Sequence, residues 1–277
     1  INYLQIYFVI IFLIGFISDI KLVSSPIKRF ILQILLLITF VLFENIQITS
    51  TRLIILDQLL DYKFFSYFFV VFCMMVLING TNFIDGLNTL ALGYYLIVSL
   101  VIIKSEILIN LNIASSDFFY WVITLFFLYI FNLFKKIFIG DGGSYLLGLI
   151  YSFLLIFAYT VNQEVSPFFI VLLLWYPCFE NLFSIIRKHN LNKSPINPDA
   201  KHFHQLLFYF LKKKYLFKDT LSNSLSANII NLYNVLVFFI GLQDIKNTQL
   251  QIYLIVLSIF LYSYFYLKLF LYRYKKY

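Results

Sequence analysis

Nine stretches of this chain are apolar on every side and are close to the length needed to cross a bilayer. They run roughly over 1–18, 30–44, 64–82, 90–110, 118–134, 143–161, 167–186, 228–243 and 249–270. The second is short and is expected to extend toward Ile48. A closed β-barrel, the other architecture a bilayer permits, would show alternating apolar and polar positions in short segments. These stretches do not alternate, so they predict helices. No internal repeat and no Pro/Gly/Ser-rich linker divides them. The expected fold is therefore all-α, a polytopic transmembrane helical bundle of about nine spans, forming a single integral membrane domain over 1–277.

Composition agrees with the pattern. The chain is 62% hydrophobic and 12% charged, against about 25% charged residues in a typical soluble domain. The formal net charge is +8, which raises nucleic acid as a partner, but the basic residues sit in short loops where topology signals belong. On one side lie the loops 19–29, 83–89, 135–142 and 187–227 and the tail from Lys268, with 17 of the 21 Lys and Arg residues. The opposite side holds only Arg52, Lys63, Lys104 and Lys246. This bias sets the first side as cytoplasmic by the positive-inside rule, and no nucleic acid is expected. Cys73 and Cys178 lie in apolar stretches and are expected to be buried thiols.

The chemistry-bearing residues gather on that same side. Asp19 closes the first span in Gly15-Phe16-Ile17-Ser18-Asp19, ahead of Lys28, Arg29 and Gln33. The segment from Asn79 to Asn88 places Asn79, Asn82, Asp85 and Asn88 about one helical turn apart, so they line one face as a span emerges. Gly140-Asp141-Gly142-Gly143-Ser144 leads directly into the sixth span. A glycine turn before a helix offers free N–H groups to an anion, and an Asp there suits Mg²⁺, which takes one or two carboxylates plus phosphate oxygens. A fourth segment holds Pro177, Glu180, Arg187 and Lys188, then Ser194-Pro195-Ile196-Asn197-Pro198-Asp199 and His202-Phe203-His204. Zinc at the His-x-His pair lacks a third ligand, since His189 is the only other histidine. The lysine run 212–214 suits a topology signal or a contact with anionic lipid.

In order and spacing, these four motifs resemble the polyprenyl-phosphate N-acetylhexosamine-1-phosphate transferase family, over Gly15 to about Leu207. The His-x-His ending looks more like its GlcNAc-1-phosphate branch, glycosyltransferase family 4, than the peptidoglycan branch. The resemblance implies an integral protein of the bacterial inner (plasma) membrane with a cytoplasmic active site. It implies Mg²⁺-dependent (or Mn²⁺-dependent) transfer of a sugar-1-phosphate from a UDP-sugar to undecaprenyl or another polyprenyl phosphate, releasing UMP and initiating cell-envelope glycan synthesis. It leaves room for a homodimer. By position, Asp19, Asp85 and Asp141 match catalytic carboxylates, with Asp141 and Asp85 as metal ligands. Asn82, Arg29, Asn88, Glu180, His202 and His204 match substrate-binding positions. The family has eleven spans, two of them ahead of the first aspartate motif, so this sequence is expected to lie within a longer chain.

Two positions depart from the family pattern. Ser18 stands where the first Asp of an Asp-Asp pair is usual, and Asn88 where a further Asp is common. The general base is thereby left unassigned. A lipid phosphate needs little help, because its second pKa is about 6 and it is largely ionised near neutral pH. Three rival readings remain. A transporter would place acids near mid-span and show paired broken helices, which this chain does not. A CDP-alcohol phosphotransferase would need an Ala-Arg pair after Asp85-Gly86, where Leu87-Asn88 stands. A non-catalytic polyprenyl-phosphate-binding relative is compatible with Ser18.

Overall fold

The computed structural model describes residues 3–23, 25–108, 115–190, 192 and 200–274. These form eleven helices and no strand. In chain order they are α1 (Tyr3–Asp19), α2 (Pro26–Phe43), α3 (Ile54–Leu60), α4 (Lys63–Ile84), α5 (Leu90–Ser105), α6 (Ser115–Leu133), α7 (Gly140–Val161), α8 (Pro167–Asn190), α9 (Phe203–Lys214), α10 (Asp219–Gly241) and α11 (Thr248–Tyr274). Six of them, α2, α4, α7, α8, α10 and α11, are long and apolar enough to cross a membrane, and α1, α5 and α6 are shorter apolar helices. The nine expected spans correspond to these nine. Ile31, Leu35 and Leu42 on α2 and Val256, Phe260 and Leu267 on α11 are exposed, forming an apolar outer surface that suits lipid rather than water.

The boundaries shift where polar residues face inward. α10 begins at Asp219, not near 228, because Ser222 and Ser226 in its first turns are buried against neighbouring helices and need no apolar side chain to belong there. α9 lies inside the expected loop 187–227 and carries an apolar face ending in Lys212, Lys213 and Lys214. α2 stops at Phe43 instead of reaching Ile48, and Asn45 turns the chain at φ 52°.

α4, α7 and α8 form the centre of the bundle. Gly148 of α7 faces Ile78 of α4 so closely that a β-carbon would lie 2.6 Å from the Ile78 Cα. Gly80 meets the Pro177 carbonyl of α8 in the same way. Pro177 has no N–H to give Leu173, four residues back. The Leu173 carbonyl instead accepts a bond from the buried Tyr94 hydroxyl of α5 at 2.9 Å. One missing helical bond thus becomes a link between two helices.

At the end opposite the acidic motifs, Arg52 ties three connections together. Its guanidinium donates to the carbonyls of Gln163, Glu164, Val165 and Lys246 and to Thr248 Oγ1, at 2.7–3.2 Å. Lys246 and Glu164 pair beside it. The α2–α3, α7–α8 and α10–α11 connections therefore share one end, as the alternation of spans requires.

Candidate active site

At the other end, α1 and α4 finish where α2 and α7 begin. Asp141, in the first turn of α7, is the focus. Its Oδ2 accepts hydrogen bonds from Ser18 Oγ at 2.6 Å and Arg29 Nη1 at 2.5 Å, and its Oδ1 from Asn82 Nδ2 at 2.7 Å. Those donors come from the last turn of α1, the first turn of α2 and the last turn of α4, so three helices converge on one carboxylate. The Arg29 contact is charge-assisted and roughly twice as strong as a neutral bond. Arg29 Nε is buried with no partner among the described residues.

The glycine turn differs from its sequence reading. Its N–H groups are not open to an external anion, because the protein's own acceptors take them. Asp19 accepts from the backbone N–H of Asp141 at 2.9 Å (Oδ1) and of Gly142 at 3.1 Å (Oδ2). Gly143 donates to the Ile139 carbonyl at 3.1 Å. Asp19 thus caps α7 from another helix, satisfying N–H groups that a helix start leaves orphaned. Gly140 is needed twice over: its φ is +64°, and a β-carbon would lie 2.6 Å from Asp19 Oδ2. Gly15 permits the approach of α1, since a β-carbon there would lie 2.5 Å from the Asp141 carbonyl.

Asp85 follows the last residue of α4. Burial pushes its pKa well above the usual 3.8, the charges of Asp141 and Asp19 push the same way, and the Gly140 hydrogen bond opposes them. The three acids are therefore within electrostatic reach of one another at one end of the bundle. Asn82 also donates to Ser144 Oγ at 3.2 Å. Behind this layer, Asn79 Nδ2 donates to the buried Gln33 at 3.1 Å. Asn88 is held at its backbone, its N–H donating to Asn223 Oδ1 of α10 at 3.0 Å.

Glu180, His202 and His204 occupy a second, interior cluster. Glu180 is buried, with Oε1 2.9 Å from His202 Nδ1 and accepting from the Phe203 N–H at 3.3 Å, while Oε2 accepts from the Tyr262 hydroxyl at 2.9 Å. The His202 and His204 rings stack at 5.7 Å. His204 is fully buried, with neither ring nitrogen hydrogen-bonded among the described residues. Its ring lies beneath Gly86, where a β-carbon would collide with Nε2. These three residues pack inside the protein, behind the turn that carries Asp85. The expected Ser194–Asp199 part of this motif lies outside the described residues.

Sequence reasoning missed Ser18 as a donor to Asp141, Asn223 as the anchor of Asn88, and Tyr262 as the partner of Glu180. A tyrosine in an apolar stretch of an aromatic-rich chain carries no mark of such a role.

The family model described as glycosyl transferase family 4 matches residues 1–159, more than half of the chain. The chain belongs to glycosyl transferase family 4. Among curated relatives of this family 4 chain, an undecaprenyl-phosphate alpha-N-acetylglucosaminyl 1-phosphate transferase of Thermotoga maritima is 28% identical over 66% of this chain and 57% of its own length. A probable undecaprenyl-phosphate N-acetylglucosaminyl 1-phosphate transferase of Bacillus subtilis is 29% identical over 90% of this chain and 67% of its own. A decaprenyl-phosphate N-acetylglucosaminephosphotransferase of Mycolicibacterium smegmatis is 31% identical over 47% and 37%. The chain thus spans a little over half of the first relative and two thirds of the second. No solved structure gives a significant match.

Proposed function

We propose that this family 4 chain carries the site of a phosphoglycosyltransferase that moves N-acetylhexosamine-1-phosphate from a UDP-sugar to polyprenyl phosphate at the cytoplasmic face of a bacterial inner membrane. The observation that carries the reading is the convergence of Ser18, Arg29 and Asn82 on the Asp141 carboxylate, with Asp85 and Asp19 beside it. The relatives' names supply the acceptor class, undecaprenyl or decaprenyl phosphate, and the N-acetylglucosaminyl 1-phosphate group.

In the reaction, an oxygen of the lipid phosphate forms a bond to the β-phosphorus of the UDP-sugar. The bond from that phosphorus to the bridging oxygen breaks, and UMP leaves with the electron pair. No base is needed when the lipid phosphate is already ionised.

Asp85 and Asp141 suit a hard divalent cation. No three His, Cys, Asp or Glu side chains among the described residues form a closed metal cage, but Mg²⁺ is held by one or two carboxylates with phosphate oxygens and waters completing its shell. Burial first, and the charges of Asp141 and Asp19 after it, raise the Asp85 pKa, and a divalent cation held there would oppose both effects. When bound, Mg²⁺ neutralises the phosphate charge that builds up during transfer. Arg29 offers its unpartnered Nε to a phosphate oxygen, Asn82 orients Asp141, and Asp19 fixes the backbone on which Asp141 sits. An apolar cavity of about 360 Å³ between α2 and α4, lined by Phe30, Ile34, Leu42 and Met75, begins one residue from Arg29 and suits the isoprenoid tail.

The test is UMP release in membranes supplied with polyprenyl phosphate, Mg²⁺ and a panel of UDP-sugars, using this chain as given and in any longer form. Release that requires both substrates and stops on chelation supports the reading. Lipid binding without UMP release in either form defeats it in favour of a non-catalytic binder, the alternative with which Ser18 is compatible.

A further inference from the structure

The hairpin from α9 to α10 plays no part in the acidic site. Lys212, Lys213, Lys214 and Lys218 are all exposed there. So are Tyr215 (51%), Leu216 (86%) and Leu221 (47%). Leu216 sits at φ 54°, a left-handed conformation that leucine rarely adopts, and it holds the side chain outward at the tip. Four lysines face one acid, Asp219, which pairs with Lys212 at 2.7 Å. Lys214 lies over the rings of Phe210 and Tyr215 at 5.0 and 5.6 Å. Arg273 at the end of α11 lies over Tyr209 at 5.0 Å.

The helix after the tip fixes its height in the bundle. α10, an apolar helix long enough to cross a membrane, begins at Asp219, three residues after Leu216. The tip therefore lies just ahead of a helix that enters the bilayer from this side. A charge bias that only orients the chain would need lysines but no exposed leucine and tyrosine among them. Lysines around outward apolar side chains at that level match the chemistry of a surface that is anionic at the headgroups and apolar just below.

We infer that the α9–α10 hairpin binds anionic phospholipid headgroups through Lys212, Lys213, Lys214 and Lys218, with Leu216 entering the acyl boundary. The leaflet involved is the one on the side of the acidic site. A soluble acidic protein would find the same lysines, but the exposed leucine and tyrosine beside them, next to a membrane-spanning helix, favour lipid.

The experiment places the full chain in nanodiscs of equal phosphatidylglycerol and phosphatidylcholine, releases it, and counts retained lipids by native mass spectrometry. The expected result is several-fold enrichment of phosphatidylglycerol. It should fall toward parity when all four lysines are changed to Gln, fall part-way in Leu216→Ser, and weaken as salt rises. Parity in the unchanged protein would overturn the proposal, as would enrichment that persists in the four-lysine variant. A co-purifying protein released by the lysine changes, with lipid at parity throughout, would also overturn it. The altered side chains are exposed, so thermal melting in neutral discs should be unchanged. If the four-lysine variant does melt early, Leu216→Ser decides alone: retained full enrichment there ends the proposal.

Discussion

Asp19 Oδ1 accepts the backbone N–H of Asp141 at 2.9 Å, so one acid of the site holds the peptide group that carries another. Asp19 acts on Asp141 from outside its helix, and its second oxygen is engaged by Gly142. It is a positioning residue in this arrangement. Asp19→Ala should remove the cap, lower stability by about 1–2 kcal/mol, and slow UMP release with it. Asp19→Asn keeps one acceptor and should fall between. Thermal melting and UMP release, measured on the same preparations, check both.

Asp141→Asn keeps the shape of the side chain but loses the charge that Arg29 pairs with. Transfer should drop by at least about 10²-fold, the scale seen when a key electrostatic group is removed from an active site. The bundle should still fold, because the substitution is close in size. Full activity in this variant with Mg²⁺ present would remove Asp141 from the chemistry.

His204 separates shape from ionisation. Burial pushes its pKa down to about 3, Glu180 opposes that shift, and His202 adds to it. The ring is therefore neutral near pH 7 and acts as a wedge under Gly86. His204→Phe should retain most activity, whereas His204→Ala should lower kcat with little change in KM. Equal loss in both would show that the ring nitrogens are needed.

The same group has a signed effect on stability. The unfolded chain binds a proton at His204 near 6.5, while the folded chain does not until about 3. Between those values the unfolded state holds more protons, so stability falls as pH drops from 6.5 toward 3. His204→Phe should flatten that part of the profile. Melting temperature against pH for the two proteins measures it.

At the far end of the bundle, Arg52→Ala should cut the links among three connections. A loss of about 1–3 kcal/mol is expected for an exposed but multiply bonded guanidinium. Activity at temperatures below melting should be unchanged, since no residue of the acidic site lies at that end.

Much of this was legible in the chain. The spans show as apolar runs because lipid leaves few other options for a backbone. The helical spacing of Asn79, Asn82 and Asp85 put them on one face at the end of a span, and in the structure Asn82 donates to Asp141 from that end. What did not show was direction. The turn at Gly140–Gly143 has the composition of an anion-binding loop, and it does bind an anion, but it is Asp19 from the same chain. His202 and His204 have the composition of an open site and are packed inside it. Sequence spacing shows which residues share a helix face. It does not show which neighbouring helix covers that face.

Tyr262 lies on the last helix, which bears none of the four motifs, yet its hydroxyl donates to the buried Glu180 carboxylate. Shortening the protein from its C-terminus past that point would leave the buried Glu180 Oε2 without its donor. The disturbance would pass through the stacked imidazoles to the loop bearing Asp85. Helix α11 thus belongs to the apparatus that backs the turn bearing Asp85, though it carries none of the aspartates.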